Sequence, residues 1–150
     1  MYEAQQNDLS VALPNQVNRG SMRSRMADGK RVLLVEDEES IAKPLVKLMK
    51  LKGYDLIWAR DAFQGLEWLD QNGPVDCLFI DIMLPKMNGW EFREMQKGRK
   101  DVGHIPAIFL SADSNSAREA EMRGEIFVAK PIDLSQLERR LNEVTETKGK

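Results

Sequence analysis

The sequence predicts an open α/β sheet whose strands run parallel and are covered by helices on both faces. From Arg31 onward, short apolar runs alternate with stretches whose apolar residues recur at helical spacing, the mark of successive β/α units. Three of the runs also end in polar groups. Val32-Leu33-Leu34-Val35 leads into Glu36-Asp37-Glu38-Glu39, Cys77-Leu78-Phe79-Ile80 into Asp81, and Ala107-Ile108-Phe109-Leu110 into Ser111. In a parallel sheet the C-terminal strand ends share one edge, and that edge is where open α/β sheets bind ligands.

Five units fit, with strands expected at Arg31 to Val35, Asp55 to Ala59, Asp76 to Ile80, Ala107 to Ser111 and Ile126 to Ala129. In the first helix Ile41, Leu45, Leu48 and Met49 form the apolar stripe, and Gly53 stops it after Lys50 and Lys52. Pro44 removes an early backbone donor, so a delayed start or a bend is expected there. Asp61 with Gln64 caps the second helix, whose Ala62, Leu66 and Leu69 face the sheet. Asn88 with Glu91 caps a third carrying Phe92 and Met95, and Asp133 with Gln136 opens a last helix striped by Leu134, Leu137, Leu141 and Val144. The methionines and Trp58, Trp68 and Trp90 are expected to pack; Trp90 also lies near enough to Asp81 in sequence to report on it optically.

The chain of 150 residues suits one domain, expected over residues 30–150, with residues 1–29 a flexible extension or cloning remnant. That extension is rich in Asn, Gln, Ser and Arg, and the loose cluster Arg19, Arg23 and Arg25 reads as a solvated tail. With 22 basic against 24 acidic side chains there is no broad basic face, so direct nucleic-acid binding is not expected. Cys77, the single cysteine, lies inside an apolar run and excludes disulfide frameworks and cysteine metal sites. No apolar run is long enough to span a bilayer and no secretory signal is evident, so a cytoplasmic protein without membrane attachment is expected.

Glu36, Asp37, Asp81, Ser111 and Lys130 should converge at the sheet edge. Taken singly, each has a bland reading as a cap, a turn residue or a loop residue. Together, on four strand ends, they make a specific pattern. Two carboxylates about 4 Å apart repel by about 4 kcal/mol at an effective dielectric near 20, so a cation must share the site. Oxygen ligands without His or Cys favour a hard divalent ion, Mg²⁺ rather than Ca²⁺. Lys130 suits a phosphate oxygen and Ser111 can donate a hydrogen bond to another. A carboxylate so placed is arranged to attack phosphorus and hold the group as an acyl phosphate.

These residues resemble the receiver domain of two-component response regulators, the CheY-like family. Leu33-Leu34-Val35-Glu36-Asp37 is similar to its acidic pair, Asp81 to Gly89 to its phosphoacceptor loop, Ser111-Ala112 to its hydroxyl switch, and Phe127 to Pro131 to its aromatic and lysine-proline segment. The likeness covers about Lys30 to Val144 and implies a flavodoxin-like strand order of 2-1-3-4-5. It further implies that Asp81 accepts a phosphoryl group from a histidine kinase or histidine phosphotransfer protein. Mg²⁺ would sit on Asp37, Asp81 and the backbone carbonyl of Met83, with Glu36 acting through a water. Lys130 would pair with Asp81 or its phosphoryl group, the Lys130–Pro131 bond would be cis, and Ser111 and Phe127 would switch. The output surface would be the fourth helix, fifth strand and fifth helix, read by an unnamed downstream protein.

One interval departs from the pattern: Ser111 to Lys130 is shorter than usual by about three residues, so the fourth helix is expected to be short or partly unwound. Glu125, where the family commonly has Ala, places a charge in the same region. Met83, two residues after the acceptor, is apolar and could screen an acyl phosphate from water. A flavodoxin-type cofactor binder is disfavoured because its phosphate loop would be Glu36-Asp37-Glu38-Glu39. A haloacid-dehalogenase-type phosphatase is disfavoured because Met83 stands where its second Asp belongs. The remaining alternative is a receiver-like interaction module that works without phosphorylation. Thr145 to Lys150 is a short polar end, so the chain reads as a stand-alone receiver or a piece of a longer regulator or hybrid kinase.

Overall fold

Each apolar run becomes a buried strand. The computed structural model describes residues 29–148, within which the order is β1 (Arg31–Val35), α1 (Glu39–Leu51), β2 (Asp55–Ala59), α2 (Ala62–Asn72), β3 (Cys77–Asp81), α3 (Gly89–Lys97), β4 (Ala107–Ser111), α4 (Ser114–Arg123), β5 (Ile126–Ala129) and α5 (Leu134–Lys148). All neighbours in the sheet are parallel and the order is β2-β1-β3-β4-β5. The expected extension lies, apart from Gly29, outside the described residues.

Alternation along each strand builds two cores. Leu33, Val35, Leu78, Ile80 and Phe109 face a layer formed with α2 and α3. Val32, Leu34, Phe79, Ile108 and Leu110 face α1 and α5. Both faces being covered explains why β3 and β4 are buried throughout and read as continuous apolar runs. Because β1 lies between β2 and β3, the chain reverses winding direction there, and Glu36 and Asp81 emerge from adjacent strands.

Several local expectations are revised. The third strand runs one residue later than expected, from Cys77 to Asp81: the Asp76 carboxylate accepts the Arg31 amide at 2.8 Å, while Asp81 stays in register with Leu110. Pro44 does not delay α1, which starts at Glu39; Ser40, whose carbonyl loses its usual donor, is exposed to water. Asp61 caps α2 by accepting the Gln64 amide, but the Gln64 side chain reaches the Arg60 amide at 2.9 Å rather than that of Asp61. The capping box of Asn88 and Glu91 is complete. Met95 and Leu48 are about half exposed instead of core, and the buried position on α3 is taken by Gln96, whose amide donates to the Val102 carbonyl at 2.7 Å.

The fourth helix is a continuous ten-residue helix, wound throughout. Asp113 accepts the Asn115 amide at its start, and Gly124, at φ 73°, ends it in the left-handed conformation that glycine adopts without penalty. Glu125 is not an exposed charge: it is nearly buried, 3.0 Å from Arg93, which also donates to the Ile105 carbonyl. This ion pair joins α3 to the start of β5.

Gly89 sets the distance between α3 and the functional edge. Its amide donates to the Ile82 carbonyl at 2.9 Å, and a Cβ there would lie 2.5 Å from the Asp81 carbonyl oxygen and 2.8 Å from Ile82 Cα. These contacts are backbone and cannot swing away. Gly89→Ala is expected to lose about 1–3 kcal/mol of stability, measured by urea denaturation with an unchanged slope.

Candidate phosphoacceptor and metal site

The strand ends bring together the residues singled out by sequence. Glu36 is fully buried, Asp81 and Ser111 nearly so, and Asp37 is exposed at the rim. Carboxylate oxygens of Glu36, Asp37 and Asp81 all lie within 4.8 Å of one another. Lys130 enters from the end of β5, its Nζ 2.9 Å from Glu36 Oε1 and 3.5 Å from Asp81 Oδ1. The lysine is thus shared between both buried acids and stands closer to Glu36. The Lys130–Pro131 peptide is cis, as expected, and the Lys130 amide donates to the Ser111 carbonyl at 2.9 Å.

Backbone groups complete the cradle. The Met83 amide donates to Asp81 Oδ1 at 3.1 Å and the Glu38 amide to Glu36 Oε2 at 3.1 Å. Ser111 Oγ accepts the Asp113 amide at 3.0 Å, which ties the hydroxyl oxygen to its own loop. Phe127 is half-buried against the α2–α3 core. Met83 is largely exposed and lines, with Asp37, Pro85, Trp90 and Asp113, an open groove of about 440 Å³ beside the carboxylates.

Crowding governs the electrostatics. Burial, then the charge of Glu36, push the Asp81 carboxyl up from 3.8 to about 7, against the pull of Lys130 and the Met83 amide. Burial works against the Lys130 charge, but its hydrogen bond to Glu36 and the charges of Asp81 and Glu36 raise its pKa overall. Lys130 Nζ is the partner of the buried Glu36 Oε1. One ammonium facing three carboxylates leaves net negative charge, and the all-oxygen donor set fits a hard divalent cation.

The sequence reading did not foresee two contacts at this edge. Trp58, from β2, donates its indole N–H to the Glu36 carbonyl at 2.7 Å. Arg123 of α4 lies 4.4 Å over the Trp90 ring, which in turn meets Phe109 with centroids 4.4 Å apart. Neither shows as a periodicity or a motif; only the proximity of Trp58 to the strand end hinted at the first.

Comparison with known proteins agrees with this geometry. The response regulator receiver domain profile matches residues 32–142. The uncharacterized transcriptional regulatory protein YbdJ of Bacillus subtilis is 36% identical over 121 residues, 79% of this chain and 52% of that protein. Transcriptional regulatory protein DltR of Streptococcus agalactiae is 33% identical over 114 residues, 74% of this chain and 50% of its own length. The chain therefore spans about half the length of the curated relatives it matches. Among solved structures, the N-terminal domain of a response regulator receiver protein from Methanoculleus marisnigri aligns with a TM-score of 0.63 at 30% identity, over 77% of this chain and 95% of that one. The receiver domain of Francisella response regulator 1452 gives 0.70 at 24%, over 79% and 98%. A doubly wound sheet of this order, an acidic pocket closed by a lysine, and a profile match over most of the chain lead to one assignment: the chain belongs to the response regulator receiver domains of two-component signalling.

Proposed function

We propose that Asp81 is the phosphoacceptor of this receiver, taking a phosphoryl group from a phosphohistidine on a histidine kinase or histidine phosphotransfer protein. The observation that carries the reading is the sharing of Lys130 by two buried carboxylates at a three-carboxylate edge. In the transfer, an Asp81 oxygen attacks phosphorus, the P–N bond breaks, and the departing imidazole keeps the electron pair. Lys130 neutralises charge developing on the phosphoryl oxygens, from a position it already holds without reorganisation. The Met83 amide, now on Asp81 Oδ1, would help to orient the carboxylate for attack.

Asp37, Asp81 and the Met83 carbonyl would hold Mg²⁺, with Glu36 reaching it through a water. Bound there, Mg²⁺ supplies the positive charge that the carboxylates and an incoming phosphoryl group both require. Ser111 would then leave the Asp113 amide and donate to the phosphoryl group, and Phe127 would bury further. Those shifts act on α4, β5 and α5, the surface a downstream partner would read. The protein is a phosphoacceptor switch rather than a turnover catalyst.

Three measurements test this. Acetyl phosphate with Mg²⁺ is expected to add one phosphoryl mass to the intact chain and beryllofluoride to change Trp90 emission; Asp81→Asn should abolish both. An unmodified parent chain would favour an interaction module that works without phosphorylation. The raised Asp81 pKa gives a pH test. The folded chain holds this proton more tightly than the unfolded chain, so the stability contribution is full below pH 3.8 and lost as pH rises through about 7. In EDTA, melting should therefore fall between about pH 5 and about pH 8, by roughly 5 °C, and Asp81→Asn or added Mg²⁺ should flatten the decline. Finally, Met83→Asn, which replaces an apolar cover with a group that can hold water, is expected to shorten the phosphoryl half-life at least about threefold.

A further inference from the structure

Trp58 has no part in the transfer just described, yet its side chain reaches from the edge strand to the backbone of the acidic loop. Its indole is partly buried on the α1 side of the sheet. The N–H donates to the Glu36 carbonyl at 2.7 Å, a short and strong contact for a nitrogen donor. The Arg60 guanidinium covers the ring, 4.5 Å from its centroid. Packing alone needs none of this polarity.

The position of that carbonyl gives the contact its meaning. The parallel ladder between β1 and β2 ends where the Glu36 amide donates to the Ala59 carbonyl. Past this bond the chain leaves the sheet, and the next peptide is no longer fixed by a neighbouring strand. The Glu36 carbonyl and the Asp37 amide belong to one planar unit. A donor on that carbonyl therefore fixes the plane from which Asp37 departs. Asp37 needs such help, because it is exposed and, among the described residues, no hydrogen bond or ion pair holds its carboxylate. Asp81, by contrast, is held by Lys130 and the Met83 amide, and Glu36 by Lys130 and the Glu38 amide.

We propose that Trp58 is a positioning residue for the cation site: its indole N–H clamps the Glu36–Asp37 peptide and so presents Asp37 to the metal. Arg60, stacked on the ring, keeps water from competing for the N–H. The proposal rests on the reading of Glu36, Asp37 and Asp81 as a divalent-cation site and adds to it a device outside the ligands. Partners that orient ligands from outside the coordination shell are worth about 10- to 100-fold in metal affinity.

The test uses the full chain and Trp58→Phe, which keeps the ring and loses the donor. Mn²⁺ affinity is read from the paramagnetic resonance signal of the free ion, with Mg²⁺ as competitor and Asp37→Asn as a control. Affinity about tenfold weaker in Trp58→Phe, with the melting midpoint in EDTA little changed, supports the proposal; a purely structural role would lower the midpoint and leave affinity alone. Equal affinity in parent and Trp58→Phe, where the parent binds and Asp37→Asn does not, overturns the role of Trp58 and leaves the cation site standing. A parent that binds no ion overturns both. Should Trp58→Phe not fold, the unaltered protein decides by its ¹H–¹⁵N spectrum. The Trp58 indole N–H is expected to resist solvent exchange and to shift on adding Mg²⁺; free exchange or an unmoved signal overturns the proposal.

Discussion

Two carboxylates buried side by side in an apolar sheet push each other toward protonation, and a single ammonium opposes it. Lys130 lies between Glu36 and Asp81, and the rest of the functional edge is arranged around that contact. The strand order makes the contact possible by placing the ends of β1 and β3 next to each other. The Ser111 carbonyl fixes the backbone of Lys130 by accepting its amide. The balance remains incomplete: one positive charge faces three negative ones, and Asp81 is left with a pKa near neutrality. On the proposed reading, that condition suits an acid that exchanges its proton for a cation and a phosphoryl group.

The same economy appears where the strands begin. Arg93, Glu125 and Gln96 are polar residues at or near full burial, and each is matched: Arg93 to Glu125 and the Ile105 carbonyl, Gln96 to the Val102 carbonyl. These pairs tie α3 to the starts of β4 and β5, away from the acidic edge. The two ends of the sheet thus divide their tasks. Polar groups at the strand starts are satisfied within the protein, whereas those at the strand ends are left with unspent charge.

Much of this was legible in the sequence because both signals are local. Buried parallel strands must be continuous apolar runs, and residues that follow them must meet at one edge, so the five strands, their order through the family resemblance, and the meeting of Glu36, Asp37, Asp81, Ser111 and Lys130 could be read directly. What could not be read depends on pairs distant in sequence. Glu125 looked like a surface charge because nothing near it in the chain reveals Arg93. Met95 looked like core because helical spacing does not say which of Met95 and Gln96 faces inward when a carbonyl awaits an amide. The fourth helix looked weak by propensity, but an Asp cap and a left-handed Gly fix both of its ends. Trp58 looked like packing because its polar contact is made by one atom across two strands.

The bond from the Asp113 amide to Ser111 Oγ binds the first turn of α4 to the strand end. A hydroxyl occupies one place at a time. If Ser111 turns toward a group on Asp81, the Asp113 amide must find another acceptor, and the cost falls on the start of α4. Linkage makes that cost reciprocal: a partner that grips α4 with this turn closed opposes loading of Asp81, and one that prefers it open favours loading by the same free energy. On the proposed reading, a partner bound at α4 would be a second input to the pocket, setting how readily Asp81 is filled as well as reading whether it is.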